Sequence, residues 1–274
     1  MTDVMAGSAA GERPVITVSG LSKRYRIVAR PGAGGLYDVV GRFGRRHHAA
    51  QVAAETVWAV RDVSFEVLPG QVVGVMGRNG SGKSTLLKLL ARVTSPTQGR
   101  AEVRGRVGAL LEVGVGFHPE LSGRDNIALS GAILGTSREE IRAREQQIVD
   151  FAEIGRYLDT PVKFYSSGMF MRLAFSVSAH LTSEIMLVDE VLSVGDAAFQ
   201  RKCKERIREL VLEGRTVLFV SHNTDSVREL CHTALLLDQG RLVFDGATTA
   251  AADIYEREIL KLSPKAASLS GQAS

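Results

Sequence analysis

The chain has 274 residues, 45% hydrophobic and 23% charged, with a mean hydropathy of +0.04. This balance excludes a disordered polyampholyte, and it excludes an integral membrane protein because the most apolar stretch, 169–181, is interrupted by Arg172 and His180. The net charge of +4 does not by itself indicate a partner.

The chain is expected to open with a tail followed by strands. Residues 1–14 are small and polar and lack the apolar core of a secretory signal, so we expect a flexible N-terminal tail. The run Val15–Val18 is β-branched. Further on, Val63, Phe65 and Val67 alternate with polar residues at the period of a half-buried strand.

A glycine-rich basic segment, residues 29–54, separates these strands. Its glycines and Pro31 predict a loop or short helix inserted into the fold. Between Arg13 and His48, eight basic residues accompany one acid, Asp38. Such a cluster fits a solvated flexible arm as well as it fits contact with a phosphate-rich partner or a lipid surface, so both alternatives stay open.

The middle of the chain predicts a buried strand and then helices. Residues 72–76 are almost wholly apolar and are bounded by glycines, as in a strand buried on both faces of a parallel sheet. A helix is predicted at 84–91, and residues 119–181 are mainly helical in pattern. Within them, Ser137–Glu140 forms a capping box before a helix that is expected to end near Ile154.

The last third of the chain alternates strands and helices, which is typical of an α/β sheet. The predicted elements are strands at 185–188 and 217–220, a helix at 199–212 closed by Gly214, a hairpin of 235–237 and 242–244, a helix at 248–262 and a polar tail at 263–274.

A phosphate-binding loop is predicted where the strand 72–76 meets the next helix. Its pattern is GxxxxGK[ST], and with one further position its residues are Gly77, Arg78, Asn79, Gly80, Ser81, Gly82, Lys83, Ser84 and Thr85. Glycines let successive N–H groups face phosphate oxygens, and the helix N-terminus adds a positive dipole. Lys83 is expected to reach the β- and γ-phosphates, and Ser84 can ligate Mg²⁺. The alternative is a glycine-rich turn with a chance lysine.

A second acidic motif follows the apolar strand 185–188. A phosphate-binding loop needs an acid to hold the magnesium shell, and Asp189 is the candidate. Glu190 can polarise the attacking water as general base. An isolated Asp-Glu pair at a strand end is often only a solvated turn, and the preceding loop motif favours the catalytic interpretation.

With these motifs, residues 15–262 resemble the ATP-binding subunits of ABC transporters. The segment Tyr165–Met169 lies where that family has its signature motif. A Ser-Ser-Gly turn at a helix N-terminus offers hydroxyl and N–H groups to a γ-phosphate. The resemblance implies a head-to-tail dimer in which Ser166, Ser167 and Gly168 of one copy close the nucleotide of the other. Taken alone, such a turn is more often only a helix cap.

Three further positions take their expected roles from the resemblance. Asp196 stands at the place of the D-loop, which communicates between the two sites, and could otherwise be a helix cap. His222 follows the strand 217–220 and resembles the switch histidine that contacts the γ-phosphate. Tyr25 matches the aromatic residue that stacks on adenine, with Trp58 as its rival, and both could be ordinary core aromatics.

One position departs from the family pattern. The family places a glutamine on the Mg²⁺ shell after the strand that follows the loop helix, and here Glu112 or nothing fills that place. The run Gly116–Gly123 and the motifs around Tyr165 and Asp189 are similar to the polysaccharide-export branch, which moves lipid-linked O-antigen, teichoic acid or similar glycans. The basic segment 29–54 is also similar to that branch, where this loop lies near the membrane interface.

The resemblance implies an α/β P-loop ABC-type nucleotide-binding domain with an antiparallel β-subdomain and a helical subdomain at 119–181. We expect an ATPase that uses ATP and Mg²⁺, forms a homodimer and has no nucleic-acid partner. A separate integral-membrane permease would hold it at the cytoplasmic face of the cell membrane through Phe117–Asn126, and the pair would export a lipid-linked polysaccharide. No sugar-binding module is expected after residue 262.

The alternative function is a soluble ABC-type ATPase that acts on nucleic acid or the ribosome. Such proteins usually carry two cassettes, long coiled-coil arms or zinc modules. This sequence has one cassette, no heptad run, and two isolated cysteines without metal-ligand spacing.

Overall fold

A computed structural model of the chain describes residues 13–28, 54–110, 116–181, 183–189 and 196–259. Several predicted features lie outside these ranges, namely most of both tails, the basic segment from 29 to 53, Glu112 and Glu190. None of the described helices is long and apolar enough to cross a bilayer.

The described residues form nine strands and seven α-helices. The strands are β1 (Ile16–Val28), β2 (Ala54–Val67), β3 (Val72–Met76), β4 (Gln98–Val103), β5 (Val107–Leu110), β6 (Ile185–Val188), β7 (Thr216–Val220), β8 (Thr233–Asp238) and β9 (Arg241–Ala247). The helices are α1 (Lys83–Leu90), α2 (Gly123–Ile133), α3 (Arg138–Ala152), α4 (Ser167–His180), α5 (Ala197–Leu212), α6 (Thr224–Leu230) and α7 (Thr248–Ile254). Short 3₁₀ turns lie at Gly155–Tyr157 and Val162–Phe164, and a π-helical turn at Tyr255–Ile259 follows α7.

The central sheet has six strands in the order β5-β6-β7-β3-β8-β9, and only β9 runs antiparallel to its neighbour. Every residue of β3, β6 and β7 is buried, because both faces of the sheet are covered. Val73 and Val75 of β3 join the core beneath α1, whereas Val72 and Met76 join the core on the other face. The predicted buried strands are thereby confirmed.

A second, antiparallel sheet has the order β2-β1-β4 and packs over α1. The predicted strand at the start of the chain is much longer than expected, since β1 continues to Val28 through Lys23 and Arg24. These polar residues carry no alternating apolar pattern, and backbone pairing with β2 extends the strand instead. That pairing ends at Val28 opposite Ala54, so the predicted insertion ends one residue inside β2.

Helices α2, α3 and α4 enclose a third core, which includes Ile127, Ile148 and Leu173. The hydroxyl of Ser137 accepts a hydrogen bond from the Glu140 N–H and starts α3, as the capping box predicts. The helix ends at Ala152, earlier than expected, because Glu153 adopts a left-handed conformation with φ 58°. With the two sheets, these helices confirm the predicted fold class.

The last helices differ slightly from the sequence expectation. Helix α5 begins two residues before the predicted start, because the Asp196 side chain caps it. The final predicted helix consists of α7 and the π-helical turn to Ile259, and its predicted end at 262 lies outside the described residues. Arg228 on α6 forms ion pairs with Asp253 and Glu256 and joins α6 to this last segment.

Candidate functional site

Three chemistry-bearing segments follow adjacent strands of the central sheet. The phosphate-binding loop follows β3, Asp189 follows β6, and His222 follows β7. Strands β6, β7 and β3 are consecutive neighbours and run parallel. Their carboxyl ends therefore share one edge of the sheet, which is where open α/β sheets bind ligands.

The loop from Gly77 to Gly82 closes around the ammonium group of Lys83. Its Nζ donates to the carbonyl oxygens of Gly77 at 2.7 Å and Arg78 at 3.0 Å, and the side chain is buried. Three glycines have positive φ: 146° at Gly77, 81° at Gly80 and 106° at Gly82. Only glycine adopts such angles without strain, which explains their spacing in the motif.

Neighbouring elements brace this loop from both sides. A Cβ on Gly82 would collide with the carbonyl oxygen of Ala59 in β2, and one on Gly77 would collide with that of Leu237 in β8. The Gly240 N–H in the β8–β9 turn donates to the Ser81 carbonyl at 3.0 Å. The loop is thus held in shape by both sheets.

The residues of the loop fit a bound polyphosphate. Gly82 caps α1 without any side-chain hydrogen bond, so the N–H groups of the first turn remain available to an anion. The buried Ser81 hydroxyl has no hydrogen-bond partner among the described residues, and Ser84 is exposed on the first turn. A fixed cation, the N–H groups of a helix start and hydroxyls form a cradle that suits phosphate oxygens.

Asp189 and His222 occupy defined positions at the same sheet edge. Asp189 is half-buried directly after β6, and its neighbour Glu190 lies outside the described residues. His222 is exposed between Ser221 and Asn223. The Asn223 N–H donates to the Ser221 hydroxyl at 3.0 Å, and the Asn223 side chain accepts from the Ser226 N–H at 3.0 Å as it caps α6. The backbone on both sides of the histidine is therefore anchored.

The two aromatic candidates for the adenine ring lie on the paired strands β1 and β2. Tyr25 is 40% exposed, with the Lys23 ammonium 5.2 Å from its ring centre. Trp58 is half-buried, with the Arg24 guanidinium 5.5 Å from its ring centre. Trp58 directly precedes Ala59, whose carbonyl lies beside Gly82. Both rings stay candidates, and neither is an ordinary core residue.

The predicted signature turn lies on the helical part of the molecule. Ser166 caps α4, and its hydroxyl accepts from the Met169 N–H at 3.2 Å. Ser167 is exposed and Gly168 is partly exposed. The helix-cap interpretation of Ser166 is therefore correct, and the exposed N-terminus of α4 also leaves the next residues accessible to an anion.

Asp196 caps α5 and is also part of an ion-pair network. Its Oδ1 accepts from the N–H groups of Ala198 and Phe199 at 3.0 and 2.9 Å, and its Oδ2 lies 2.6 Å from Arg172. Arg172 on α4 also pairs with Glu153 at 2.5 Å. The hydrogen bond from the Phe199 N–H is the largest cause of a lowered pKa at Asp196; desolvation opposes it, and the charge of Arg172 lowers the pKa further. The network fixes the start of α5 to α4.

Both cysteines lie in the same hydrophobic core. Cys203 is on α5 and Cys231 directly follows α6, and burial raises the pKa of each thiol to about 12. Among the described residues, no group of three or more His, Cys, Asp or Glu side chains could hold a metal ion.

Two residues with organising roles escaped the sequence interpretation. Arg172 is the only charge in the apolar stretch 169–181, and that isolation was the available signal. Asn126 is completely buried and bonds to the backbone of the 118–122 turn. Nothing in the local sequence marks it, because its partners are backbone groups.

Comparison with known proteins agrees with this geometry. A family model described as ABC transporter matches residues 60–193. The chain is 41% identical over 244 residues to the O-antigen export system ATP-binding protein RfbB of Klebsiella pneumoniae, covering 89% of this chain and 98% of that protein. It is also 41% identical over 204 residues to the teichoic acids export ATP-binding protein TagH of Bacillus anthracis, covering 74% of this chain and 37% of that protein.

Solved structures share the fold at lower sequence identity. The ATP-binding cassette MJ0796, in a dimeric post-hydrolysis state bound to ADP and Pi, superimposes with a TM-score of 0.67 at 20% identity, covering 85% of this chain and 98% of that one. From the near full-length relative, the family match and the phosphate cradle, we conclude that the chain belongs to the ABC transporter family as one of its ATPase cassettes.

Proposed function

We propose that this chain is the ATP-hydrolysing subunit of a bacterial exporter that moves a lipid-linked polysaccharide across the cytoplasmic membrane. The observation that carries the proposal is the 41% identity to an O-antigen export ATP-binding protein over 98% of that protein's length. The TagH protein of B. anthracis, named for export of a different glycan, matches at the same 41% identity over 37% of its length. The glycan itself is therefore left unassigned.

In the proposed reaction, the chain's own residues hold the triphosphate and activate water. Lys83 and the N–H groups of the loop bind the phosphate oxygens, and His222 contacts the γ-phosphate from the end of β7. Glu190 accepts the proton of the attacking water as general base. Asp189, one residue before it, would hold Mg²⁺ together with Ser84.

Mg²⁺, when bound, neutralises the negative charge that develops on the phosphate oxygens. The donor set fits a hard cation, since the serine hydroxyl of Ser84 and the carboxylate of Asp189 both offer oxygen. Glu112 is the further predicted oxygen ligand. It stands where the family has a glutamine.

We further propose that two copies pair head to tail, so that the turn from Ser166 to Gly168 closes the nucleotide held by the partner copy. The exposed N-terminus of α4 supports this pairing, since it offers N–H groups to an anion on the surface of the helical part. Asp196 would lie at the same interface. The adenine would stack on Tyr25 or Trp58.

The permease is proposed to contact the 118–122 turn and its surroundings on the cytoplasmic side of the membrane. His118, Pro119 and Glu120 are exposed there, and Phe164 beside them is 69% exposed. A large exposed aromatic next to an ion pair of Glu120 and Lys163 is typical of a protein contact surface.

Hydrolysis tests the assigned roles. Glu190→Gln should retain ATP affinity and lose most turnover, at least about 100-fold, because the general base is gone. Lys83→Ala should lose affinity as well, because its charge contacts phosphates already in the ground state. Nucleotide titration and phosphate release measure the two effects, and Glu66→Gln on the exposed side of β2 is the matched control. Near-normal turnover of Glu190→Gln would remove this residue from the mechanism.

Export is tested in cells that lack the chain. We expect lipid-linked glycan to accumulate inside and surface glycan to disappear, with recovery by the wild-type gene and not by Glu190→Gln. Fractionation should place the chain with the membrane only when the permease is present. Co-sedimentation with ribosomes or DNA, with surface glycan unchanged, would favour the nucleic-acid alternative instead.

A further inference from the structure

Asn126, near the start of α2, is a polar side chain with none of its surface exposed. Its Oδ1 accepts from the His118 N–H at 2.6 Å. Its Nδ2 lies 3.2, 3.1 and 2.9 Å from the carbonyl oxygens of His118, Leu121 and Ser122. One buried amide thus ties both ends of the 118–122 turn to α2.

The same turn is paired with a second segment by backbone hydrogen bonds. The Lys163 N–H donates to Pro119 at 3.1 Å, and the Val162 N–H donates to Leu121 at 3.0 Å. Beyond an isolated bridge between Ser122 and Pro161, the N–H groups of residues 123 and 124 donate to the carbonyls of residues 160 and 158. The pairing runs along the whole 158–163 segment.

This second segment leads directly into the signature turn. The Tyr165 N–H donates to the Val162 carbonyl at 3.0 Å, and the next residue, Ser166, caps α4. The Tyr165 hydroxyl donates to the Tyr157 carbonyl at 2.8 Å. A separate contact joins Phe117 to Phe170 in the first turn of α4, edge to face with ring centres 5.3 Å apart. Two independent contacts therefore connect the 118–122 turn to the N-terminus of α4.

We propose that Asn126 is a positioning residue that holds the 118–122 turn on the 158–163 segment, so that displacement of the turn by the permease is passed to the signature turn. The inference rests on the proposed function for the identity of that partner. It assigns the shape of the turn, on which the backbone-paired route to the signature turn depends, to one buried side chain. By linkage, nucleotide bound at the signature turn must in return change the 118–122 turn.

The Asn126→Asp substitution removes the side-chain N–H donors with little change in the size of the side chain. The carboxylate still accepts from the His118 N–H, and it loses the N–H donors that reach the carbonyl oxygens of His118, Leu121 and Ser122. Those oxygens and the new charge then repel each other. Ser130→Ala is the matched control, because this hydroxyl is buried one turn further along α2 and has no hydrogen-bond partner among the described residues.

Amide hydrogen exchange on the full chain without nucleotide is the first measurement. In Asn126→Asp, the amides of His118, Val162 and Lys163 should exchange at least about tenfold faster than in the wild type, with α3 unchanged. Ser130→Ala should exchange as the wild type does. Equal exchange in both variants would overturn the proposal. If Asn126→Asp fails to fold, Asn126→Ser, which replaces the amide by one shorter, uncharged hydroxyl, is measured instead.

The second measurement uses Mg-ATP on the Glu190→Gln background, where turnover is expected to be blocked. Mg-ATP should slow exchange both in the phosphate-binding loop and in the 118–122 turn. Adding Asn126→Asp should abolish the slowing in the turn and preserve it in the loop. Slowing of the turn in both proteins would overturn the transmission. If Mg-ATP slows exchange in the phosphate-binding loop although no dimer forms, the proposed head-to-tail pairing is contradicted instead. The exchange rates without nucleotide would still decide the role of Asn126.

The third measurement separates positioning from general stability. In membrane vesicles carrying the assembled transporter, Asn126→Asp should lower the amount of glycan exported per ATP hydrolysed by at least about fivefold and leave KM for ATP unchanged. Ser130→Ala should keep the wild-type ratio. An unchanged ratio in Asn126→Asp would contradict the proposal.

Discussion

Arg172 shows how much one side chain can organise in this cassette. Its side chain is 20% exposed, and its guanidinium pairs with Asp196 and Glu153 and lies 4.9 Å from the Phe199 ring centre. These contacts connect α4, which carries the signature turn, to the start of α5 and the end of α3. A planar guanidinium can serve two carboxylates and a ring at once, whereas a lysine ammonium cannot.

We expect Arg172→Met to lower the free energy of unfolding by about 1–2 kcal/mol, since both carboxylate partners are themselves more than half exposed. Arg172→Lys should recover only part of this loss. Urea titration measures the stability, and Arg142→Met on α3 is a control at an exposed arginine. Equal stability of the Arg172→Met variant and the wild type would show that the double pairing contributes nothing.

The same network predicts a dependence of stability on pH. Hydrogen bonds from Lys202 and Arg172 lower the pKa of Glu153 against a desolvation effect, and the Phe199 N–H with Arg172 lowers that of Asp196. Carboxyls with a lowered pKa bind fewer protons when folded, so their stabilisation is present above the unfolded pKa, near 4, and is lost as pH falls below it. Urea titrations between about pH 6 and pH 3 should show this loss, and Arg172→Met should show a smaller one. Parallel curves for the two proteins would contradict the assignment.

At the scale of elements, helix caps position much of the candidate site. Asn223 caps α6 directly after His222, Ser166 caps α4, and Asp196 caps α5. Each cap satisfies N–H groups at a helix start and so fixes where the preceding loop ends.

We expect Asn223→Ala to cost about 1 kcal/mol of stability and also to reduce kcat several-fold, because the backbone beside His222 loses an anchor. Ser137→Ala removes an equivalent cap from α3, away from the sheet edge, and serves as the control. It should cost similar stability and leave kcat unchanged. A kcat loss of the same size in both variants would mean that reduced stability alone explains the effect.

The sequence predicts an element correctly where the pattern that marks it lies in consecutive residues. The phosphate-binding loop, the apolar strands and the Ser137 cap are of this kind. The second half of β1 was not predicted, because its polar residues form a strand only through pairing with β2. Arg172 escaped notice as an organiser for a related reason, since its partners Glu153 and Asp196 are 19 and 24 residues away in sequence. Such contacts become visible only when the fold brings distant segments together.

At the scale of the whole molecule, each predicted nucleotide site combines the phosphate-binding loop of one copy with the signature turn of the other. The two copies therefore depend on each other. A Lys83→Ala copy mixed with a Gly168→Asp copy should regain one intact site per heterodimer, because one copy would supply an intact loop and the other an intact signature turn. We expect the forced heterodimer to recover a substantial fraction of wild-type turnover, whereas either homodimer stays inactive. Phosphate release from covalently linked dimers measures this. No recovery would contradict head-to-tail pairing.

Because Val28 pairs with Ala54, the basic segment between them can be replaced as a unit. Opposed residues of antiparallel strands lie about 4.5–5.5 Å apart at Cα, a gap that a two-residue Asn-Gly turn closes. Replacing 29–53 by such a turn should preserve ATP hydrolysis and abolish export if the segment serves the membrane side, with phosphate release and surface glycan as the two measurements. Loss of both activities would place the segment within the catalytic unit. Shortening the loop also lowers the entropic cost of closing it, by about 0.6 kcal/mol for each halving of the loop length. Val28 and Ala54 thus mark a junction at which evolution or a protein engineer can replace an accessory segment and leave the rest of the ATPase cassette unchanged.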